Sequence, residues 1–408
     1  MKKTQKIVSV AILAAGAMTM SGCHSEQESE MKPNVNVTVT PRQGHYIVTY
    51  KEDPLAGARI PNLYDARMEF MGEFTKSFLI KRGISADRVE YVYETALKGF
   101  AAELTATEVV KLRQDPNIGE IVEDNIITLD DPEVEIQIEP NPQLETAATQ
   151  ETPWGITRVG GAAAPAGGVK VYVIDTGINL THPDLNVDAS LGYNAFDSRT
   201  VDGRNLDDGN GHGTHVAGTI GARNNSIGVI GVAAGVKVIP IKVLGSNGSG
   251  STSGVIAGVN FVGNRAAQND IANMSLGGGI NTALDAAVVN ASNAKGGIKF
   301  VLAAGNSNAN ANNSSPARAN GPHVVTVSAH DINNVRASFT NWGRPPIDFC
   351  APGVSIKSTY RNKGYAILSG TSMAAPHVAG IMAASASRTV NTSGTVANNG
   401  FNDPRARR

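Results

Sequence analysis

Two cysteines, Cys23 and Cys350, are all that 408 residues carry. One of them falls in what reads as an export segment, so no intramolecular disulfide is left for the exported chain. Its stability has to come from core packing or bound ions. Aromatics are scarce, at 5%, and neither sign of charge prevails. A net charge of −1 gives no electrostatic pull toward nucleic acid or an anionic membrane. Basic residues do not cluster, apart from "RARR" at 405–408. Long apolar runs are missing too, since Ile7–Met20 is too short to span a bilayer as a lasting helix. What abounds is glycine, 44 residues, which suits close-packed α/β layers with tight turns and not a coiled coil or a disordered chain. The length leaves room for two or three domains, one with a large core.

The first residues read as an export signal, with Lys2, Lys3 and Lys6 before the apolar run. "MSGC", residues 20–23, resembles the lipobox of bacterial lipoproteins, which makes Cys23 the lipidated residue; cleavage after "AGA" (15–17) is the alternative. Either way the chain is expected to be exported, and then secreted or attached to the cell envelope. Residues 24–42 are polar and lack apolar periodicity, as in a flexible tether. In 43–130, "HYIVTY" (45–50) alternates like a strand and 62–81 carries apolar residues at helical spacing. "VEYVYETALKGFAAEL" (89–104) reads as two strands around a turn at Lys98-Gly99. "TATEVVKLRQDP" is a helix capped by Thr105, with Glu108 three residues on and Pro116 as its stop. A strand at 118–129 closes the order β-α-β-β-α-β, which is ferredoxin-like. The acidic, Pro-containing stretch 131–149 reads as a linker.

From 150 onward strands alternate with helices. Near-continuous apolar strands at 169–175, 236–244, 271–276, 297–305 and 323–329 suit a sheet covered on both faces, with helices at 212–222, 252–267, 282–294 and 372–386. The pattern predicts an α/β, doubly wound, mostly parallel sheet, whose sites form at the carboxyl ends of strands. "IDFCAPG" (347–353) reads as a buried strand in which Cys350 is a small hydrophobe and not a nucleophile.

Four residues carry candidate chemistry. Asp175 ends an apolar strand in "YVIDTG", where a charge must be partnered, or it is a turn residue. His212 opens a helix between two glycines in "GNGHGTHVAGTI", an arrangement that suits close approach to the imidazole. His215, three positions on, has too few companion ligands for zinc. Asn306 in "VLAAGNSN" can donate its amide to a negative oxygen, or serve as a left-handed turn residue. Ser372 in "GTSMAAPHVAG" stands before an apolar helix, as an N-cap or as a nucleophile.

Together, over roughly 150–388, these segments resemble the subtilisin family of serine proteases: "VIDTGI", "GHGTHVAGT", "AAGN" and "GTSMAAPHVAG" are each nearly that family's motifs. "VLGSNGSGSTSGVIAGVNFV" (243–262) points toward its proteinase K-like branch. The resemblance implies a serine endopeptidase in which Ser372 attacks, His212 moves the proton, Asp175 orients the imidazole, and Asn306 with the Ser372 N–H holds the oxyanion. The Asp-His-Ser order and the lack of a G-x-S-x-G elbow set it apart from esterases. It implies that Gly248, Ser249 and Gly250 on one side, and Ser275, Leu276 and Gly277 on the other, pair with an extended peptide. Residues 307–316, which hold no acid, would wall a pocket for apolar or aromatic side chains. A structural Ca2+ is implied at Gln150, Asp184 and Asn225 and the carbonyls of Arg223, Ile227 and Val229.

Residues 43–130 resemble the propeptide that chaperones and inhibits such enzymes, so the chain reads as a zymogen that cuts itself near Thr149. Expected partners are protein and peptide substrates, its own propeptide as intramolecular inhibitor, and a lipid anchor before maturation. Nucleic acid is not expected, and the enzyme is expected to be a monomer. The competing reading is a catalytically silent binding module on the same fold. The tail after Arg388 reads as polar and patternless, and only 36 residues follow Ser372, a short closing segment for this family.

Overall fold

The alternation in "HYIVTY" does form a strand, Thr40–Tyr50, in a computed structural model that describes residues 40–61, 63–129, 137–139 (backbone only) and 149–408. The export signal, Cys23, most of the tether and most of the linker lie outside the described residues. After this strand come helix Tyr64–Ile80, strands Val89–Tyr93 and Gly99–Glu103, helix Ala106–Arg113 and strand Ile118–Thr128. Thr105 starts the second helix with the expected reciprocal cap: its hydroxyl accepts the Glu108 N–H, and the Glu108 carboxylate accepts the Thr105 N–H. The four strands pair antiparallel in the order 118–128, 40–50, 99–103, 89–93. They enclose a core of their own around Val48, Met71, Leu79, Phe100 and Leu112. The expected turn at Lys98-Gly99 is displaced. Gly99 is already paired with Thr49, and Glu94–Lys98 form the connection because their backbone docks on a helix of the larger unit.

In the larger unit a parallel sheet centres on Lys170–Asp175. Lys237–Lys242 flanks it on one side; Ile271–Met274, Lys299–Ala303, Val324–His330 and Ile347–Pro352 follow in turn on the other. Successive strand residues face opposite ways, so Val171 and Val173 join one apolar cluster while Tyr172 and Ile174 join another. Helices His212–Gly221 and Thr371–Ala384 cover the first face; Thr252–Arg265 and Thr282–Asn293 cover the second. Burial on both faces is why these strands read as continuous apolar runs. Among the described residues no helix is long and apolar enough to cross a membrane.

The tail differs from its sequence reading. Asn391–Asn398 and Phe401–Arg407 form an antiparallel hairpin, and its second strand extends the large sheet beside Ile347–Pro352. Its inward positions explain why no pattern was visible. Beside Val396 and Ala406 they include buried Asn398 and Asp403, and Asp403 accepts the Ser328 hydroxyl at 2.6 Å and the Asn398 amide at 2.7 Å. Polar residues satisfied inside a fold leave no hydrophobic alternation behind. Cys350 lies under this hairpin, and burial pushes its thiol up to about 12, as befits a small hydrophobe.

Candidate active site

Asp175 reaches the site because the central strand ends on it, fully buried. Its Oδ1 lies 2.8 Å from His212 Nδ1 and also accepts the Thr176 N–H at 2.7 Å. His212 is the first residue of its helix and is 2% exposed. A residue that the sequence did not single out secures this helix start. The buried carboxylate of Asp208 accepts the N–H groups of Asn210, Gly211 and Thr214 and the hydroxyls of Thr214 and Thr176. A carboxylate satisfies the orphan donors of a helix N-terminus and is favoured by its dipole. Through Thr176, whose hydroxyl also accepts the Gly213 N–H, the same carboxylate ties the helix to the residue after Asp175. The available signal was an acidic residue just before a helix, hidden beside Asp207.

The glycines around His212 have a different role from the one expected. Gly211 sits at φ +113°, where a Cβ would lie 2.4 Å from the Tyr360 ring, and a Cβ on Gly213 would lie 2.1 Å from the Gly177 carbonyl oxygen. They let the helix start pack against its neighbours.

Ser372 is not an N-cap. Gly370 holds that position, and Ser372 is the second residue of helix Thr371–Ala384. Its hydroxyl donates to the Ser275 carbonyl at 3.3 Å. Pro376 has no N–H to give the carbonyl four residues back, which is that of Ser372. The Ser275 hydroxyl fills the place at 2.8 Å, and is itself held by the Asn273 amide at 2.9 Å. Asn306 follows strand Lys299–Ala303, and its Oδ1 accepts both the N–H and the hydroxyl of Thr371 at 2.8 Å. With the acceptor end fixed on the serine helix, Nδ2 is the end that can meet a developing oxyanion.

Ser372, Asn306, Ser275, Leu276 and Gly277 line one cavity of about 330 Å3 whose wall has no charged residue among the described residues. Thr128 and Leu129 of the smaller unit line it as well. Strand Ile118–Thr128 continues onto the edge Ser249–Ser251, with Thr128 opposite Ser249 and Ile127 opposite Gly250, and the Leu129 N–H donates to the Gly248 carbonyl at 3.0 Å. Residues 137–139 pair with Tyr365–Ile367, the strand that leads into Gly370. Two further contacts join the units. Asp124 accepts the N–H and hydroxyl of Ser253 at the start of helix Thr252–Arg265, and Asn260 Oδ1 accepts three successive N–H groups, from Glu94, Thr95 and Ala96.

The expected cation ligands also come together. The Gln150 amide nitrogen faces the carbonyls of Arg223 (2.6 Å) and Val229 (3.1 Å), Asn225 Oδ1 (3.1 Å) and, at 3.5 Å, the Ile227 carbonyl. Four acceptors converge on a group with two hydrogens. Beside them Asp184 accepts the Asn225 amide and the Val229 N–H, and burial pushes its carboxyl up to about 6. An oxygen set with surplus lone pairs next to a buried carboxylate fits a hard cation such as Ca2+. His215 is elsewhere engaged: its Nε2 faces the carbonyls of Ile356 and Ala366, and no group of three or more His, Cys, Asp or Glu residues suited to a metal occurs among the described residues.

Comparison with known proteins agrees with this architecture. A profile of the subtilase family matches residues 166–398, and one of the peptidase inhibitor I9 family matches 45–130. The chain is 39% identical over 350 residues to alkaline serine exoprotease A of Vibrio alginolyticus, covering 83% of this chain and 59% of that protein. It is 40% identical over 357 residues to the extracellular serine proteinase of Thermus sp. (strain Rt41A), covering 83% and 79%. A solved structure of a cold adapted subtilisin-like serine proteinase matches with a TM-score of 0.51 and 44% identity, over 58% of this chain and 84% of that one. With a family profile spanning more than half of its length, this chain belongs to the subtilase family.

Proposed function

We propose that the protein is the zymogen of an exported serine endopeptidase, and that it hydrolyses peptide bonds in proteins through an acyl-enzyme. The 2.8 Å bond between Asp175 and His212, with Ser372 and Asn306 lining one cavity, carries this reading. Ser372 Oγ attacks the peptide carbonyl while His212 Nε2 takes its proton. The imidazolium returns that proton to the leaving amine as the C–N bond breaks, and Asp175 keeps Nδ1–H in place throughout. Water then repeats the attack on the acyl-enzyme and frees Ser372. Asn306 Nδ2 and the Ser372 N–H stabilise the oxyanion, helped by its place at a helix N-terminus.

The substrate enters as a strand along Gly248, Ser249 and Gly250 with Ser275, Leu276 and Gly277 opposite, the edge that residues 126–129 pair with in this chain. A wall without charge among the described residues favours apolar or aromatic side chains before the scissile bond. The chain divides into a signal (1–23), a tether (24–42), an inhibitory propeptide (43–130), a linker (131–149) cut near Thr149, and a catalytic domain (150–408) of the proteinase K-like branch. Cys23 carries a lipid before maturation, and one relative bears the name extracellular.

Gln150, Asp184 and Asn225, with the carbonyls of Arg223, Ile227 and Val229, bind a structural Ca2+ that clamps the start of the catalytic domain. A chelator should lower the melting temperature of the Ser372→Ala chain and added Ca2+ should restore it; no change would refute the site. The central test is casein hydrolysis with and without Ser372→Ala. In subtilisin, loss of the nucleophile costs on the order of 10⁶ in turnover. Proteolysis that survives the substitution would refute the mechanism, and an inactive native chain would leave the silent binding module as the better reading.

A further inference from the structure

The one basic cluster in the sequence has no part in the chemistry above. In a strand alternate residues face opposite sides, so "RAR" at 405–407 turns Ala406 into the fold, where it is buried, and leaves Arg405 and Arg407 on the other face. The hairpin brings them beside Arg158, the last residue of the short helix Trp154–Arg158. The three arginines, with Trp154, Thr157, Ile332 and Ser393, line a cavity of about 580 Å3 whose wall has no carboxylate among the described residues.

Two of the three guanidinium groups are held in place by neutral partners. Arg158 donates to the Ile332 carbonyl at 2.7 Å and to the Asn334 side chain, and Arg405 donates to the Ser393 carbonyl. The Nε of Arg405 is buried with no hydrogen-bond partner. Arginine keeps its charge and offers five N–H donors in a planar fork. Three such forks around one concavity repel each other unless an anion stands between them. Burial, and against the Asp331 carbonyl the charges of Arg158 and Arg405, hold the nearby His330 imidazole below its usual pKa, so both cations act on the same region. The Asp331 carboxylate acts on the same imidazole in the opposite sense, but it forms no ion pair with Arg158, Arg405 or Arg407, and its Oδ1 is taken by the N–H groups of Asn333 and Val335.

We propose that Arg158, Arg405 and Arg407 form a binding site for a phosphate group. A tetrahedral phosphate offers enough oxygens to meet several guanidinium forks at once, which a single carboxylate does not. Bound there, it would clasp the C-terminal hairpin to the first helix of the catalytic domain. The phosphate could be free or be the headgroup of an anionic phospholipid, and the two are separable.

The test uses the full chain carrying Ser372→Ala, so its outcome does not depend on the proteolytic reading. Inorganic phosphate is titrated calorimetrically at constant ionic strength, with chloride as control, and the protein is sedimented with vesicles of phosphatidylglycerol or of phosphatidylcholine. Saturable binding of phosphate to one site is expected, weakened roughly tenfold or more in Arg407→Gln, an exposed position. Sedimentation with phosphatidylglycerol alone, relieved by phosphate, assigns the headgroup; phosphate binding without sedimentation assigns the free anion. Absence of both, or binding in Arg407→Gln and Arg158→Gln that equals that of the parent chain, overturns the proposal.

Discussion

The hydroxyl of Ser275 donates to the carbonyl of Ser372 over 2.8 Å, and that carbonyl is the one that Pro376 leaves without a helical partner. A proline inside the serine helix therefore creates a vacancy that the segment 275–277 fills. Ser275→Ala should leave a buried carbonyl unpaired, at a cost of about 1–3 kcal/mol. In a domain of this size that corresponds to a loss of several degrees in melting temperature. Calorimetry of the Ser372→Ala chain with and without the second change measures it, and equal midpoints would contradict the coupling.

Thr371 holds the acceptor end of Asn306 through both its N–H and its hydroxyl. Thr371→Val removes one of the two bonds and should lower kcat roughly tenfold, with KM nearly unchanged. Asn306→Ala should lower kcat by about 10²–10³, the magnitude known for the oxyanion donor of subtilisin. If Thr371 acts by orienting Asn306, the double variant loses little more than Asn306→Ala alone. Full additivity in steady-state kinetics would assign Thr371 a separate role.

Asn260 accepts three N–H groups from the Glu94–Ala96 loop, so one side chain secures a whole turn of the propeptide. Asn260→Ala should raise amide hydrogen exchange at Glu94, Thr95 and Ala96 by roughly tenfold or more in the Ser372→Ala precursor. In the active chain it should shorten the lag before proteolysis appears. Unchanged exchange at these three amides would show that the loop is held by other contacts.

Acid should destabilise the fold well before its ion pairs are protonated. Burial is the main cause that holds His182 and His377 down to about 4 and His215 to about 3. An unfolded chain takes up protons at these residues near pH 6.5. Between about pH 6.5 and 4 it therefore binds more protons than the folded chain, and stability falls as pH falls through that window. Asp184 and Asp285, pushed up to about 6 by burial, and Asp348 and Asp403, also raised by burial, act in the opposite sense, but they are four groups against five, since burial lowers His323 and His330 as well. Melting temperature of the Ser372→Ala chain should thus drop from pH 6.5 to 4; a level or rising profile would contradict the balance.

The candidate catalytic residues stood out in the sequence because they end or open elements at boundaries that periodicity marks. Asp175 closes an apolar strand, His212 opens a helix, and Asn306 follows a strand with only Ala304 and Gly305 between. Asp208 was not legible, since its five hydrogen bonds come from a loop geometry that no hydrophobic pattern records. The true connection at Glu94–Lys98 was missed for a related reason: its conformation is set by Asn260, more than 150 residues away in sequence. Ser372 resisted a choice between cap and nucleophile because small residues at a helix start suit both; the structure gives the cap to Gly370.

The tail makes the last prediction. Strand Phe401–Arg407 covers the outer edge of Ile347–Pro352 at Cys350; Asp403 pins it there through Ser328 and ties the two strands of the hairpin together through Asn398. Cys350 is 1% exposed and its thiol is pushed up to about 12, so in the native chain it should be inert to an aromatic disulfide reagent at pH 8. Asp403→Ala removes both bonds and leaves the Ser328 hydroxyl only its longer contact with the Phe349 carbonyl, at 3.3 Å. The edge should then open locally, and Cys350 should react at least about tenfold faster at a temperature where the rest of the fold is intact by far-UV circular dichroism. Carrying Cys23→Ser in both proteins makes the reaction report on Cys350 alone. Equal rates would mean that the hairpin is not what closes the sheet edge.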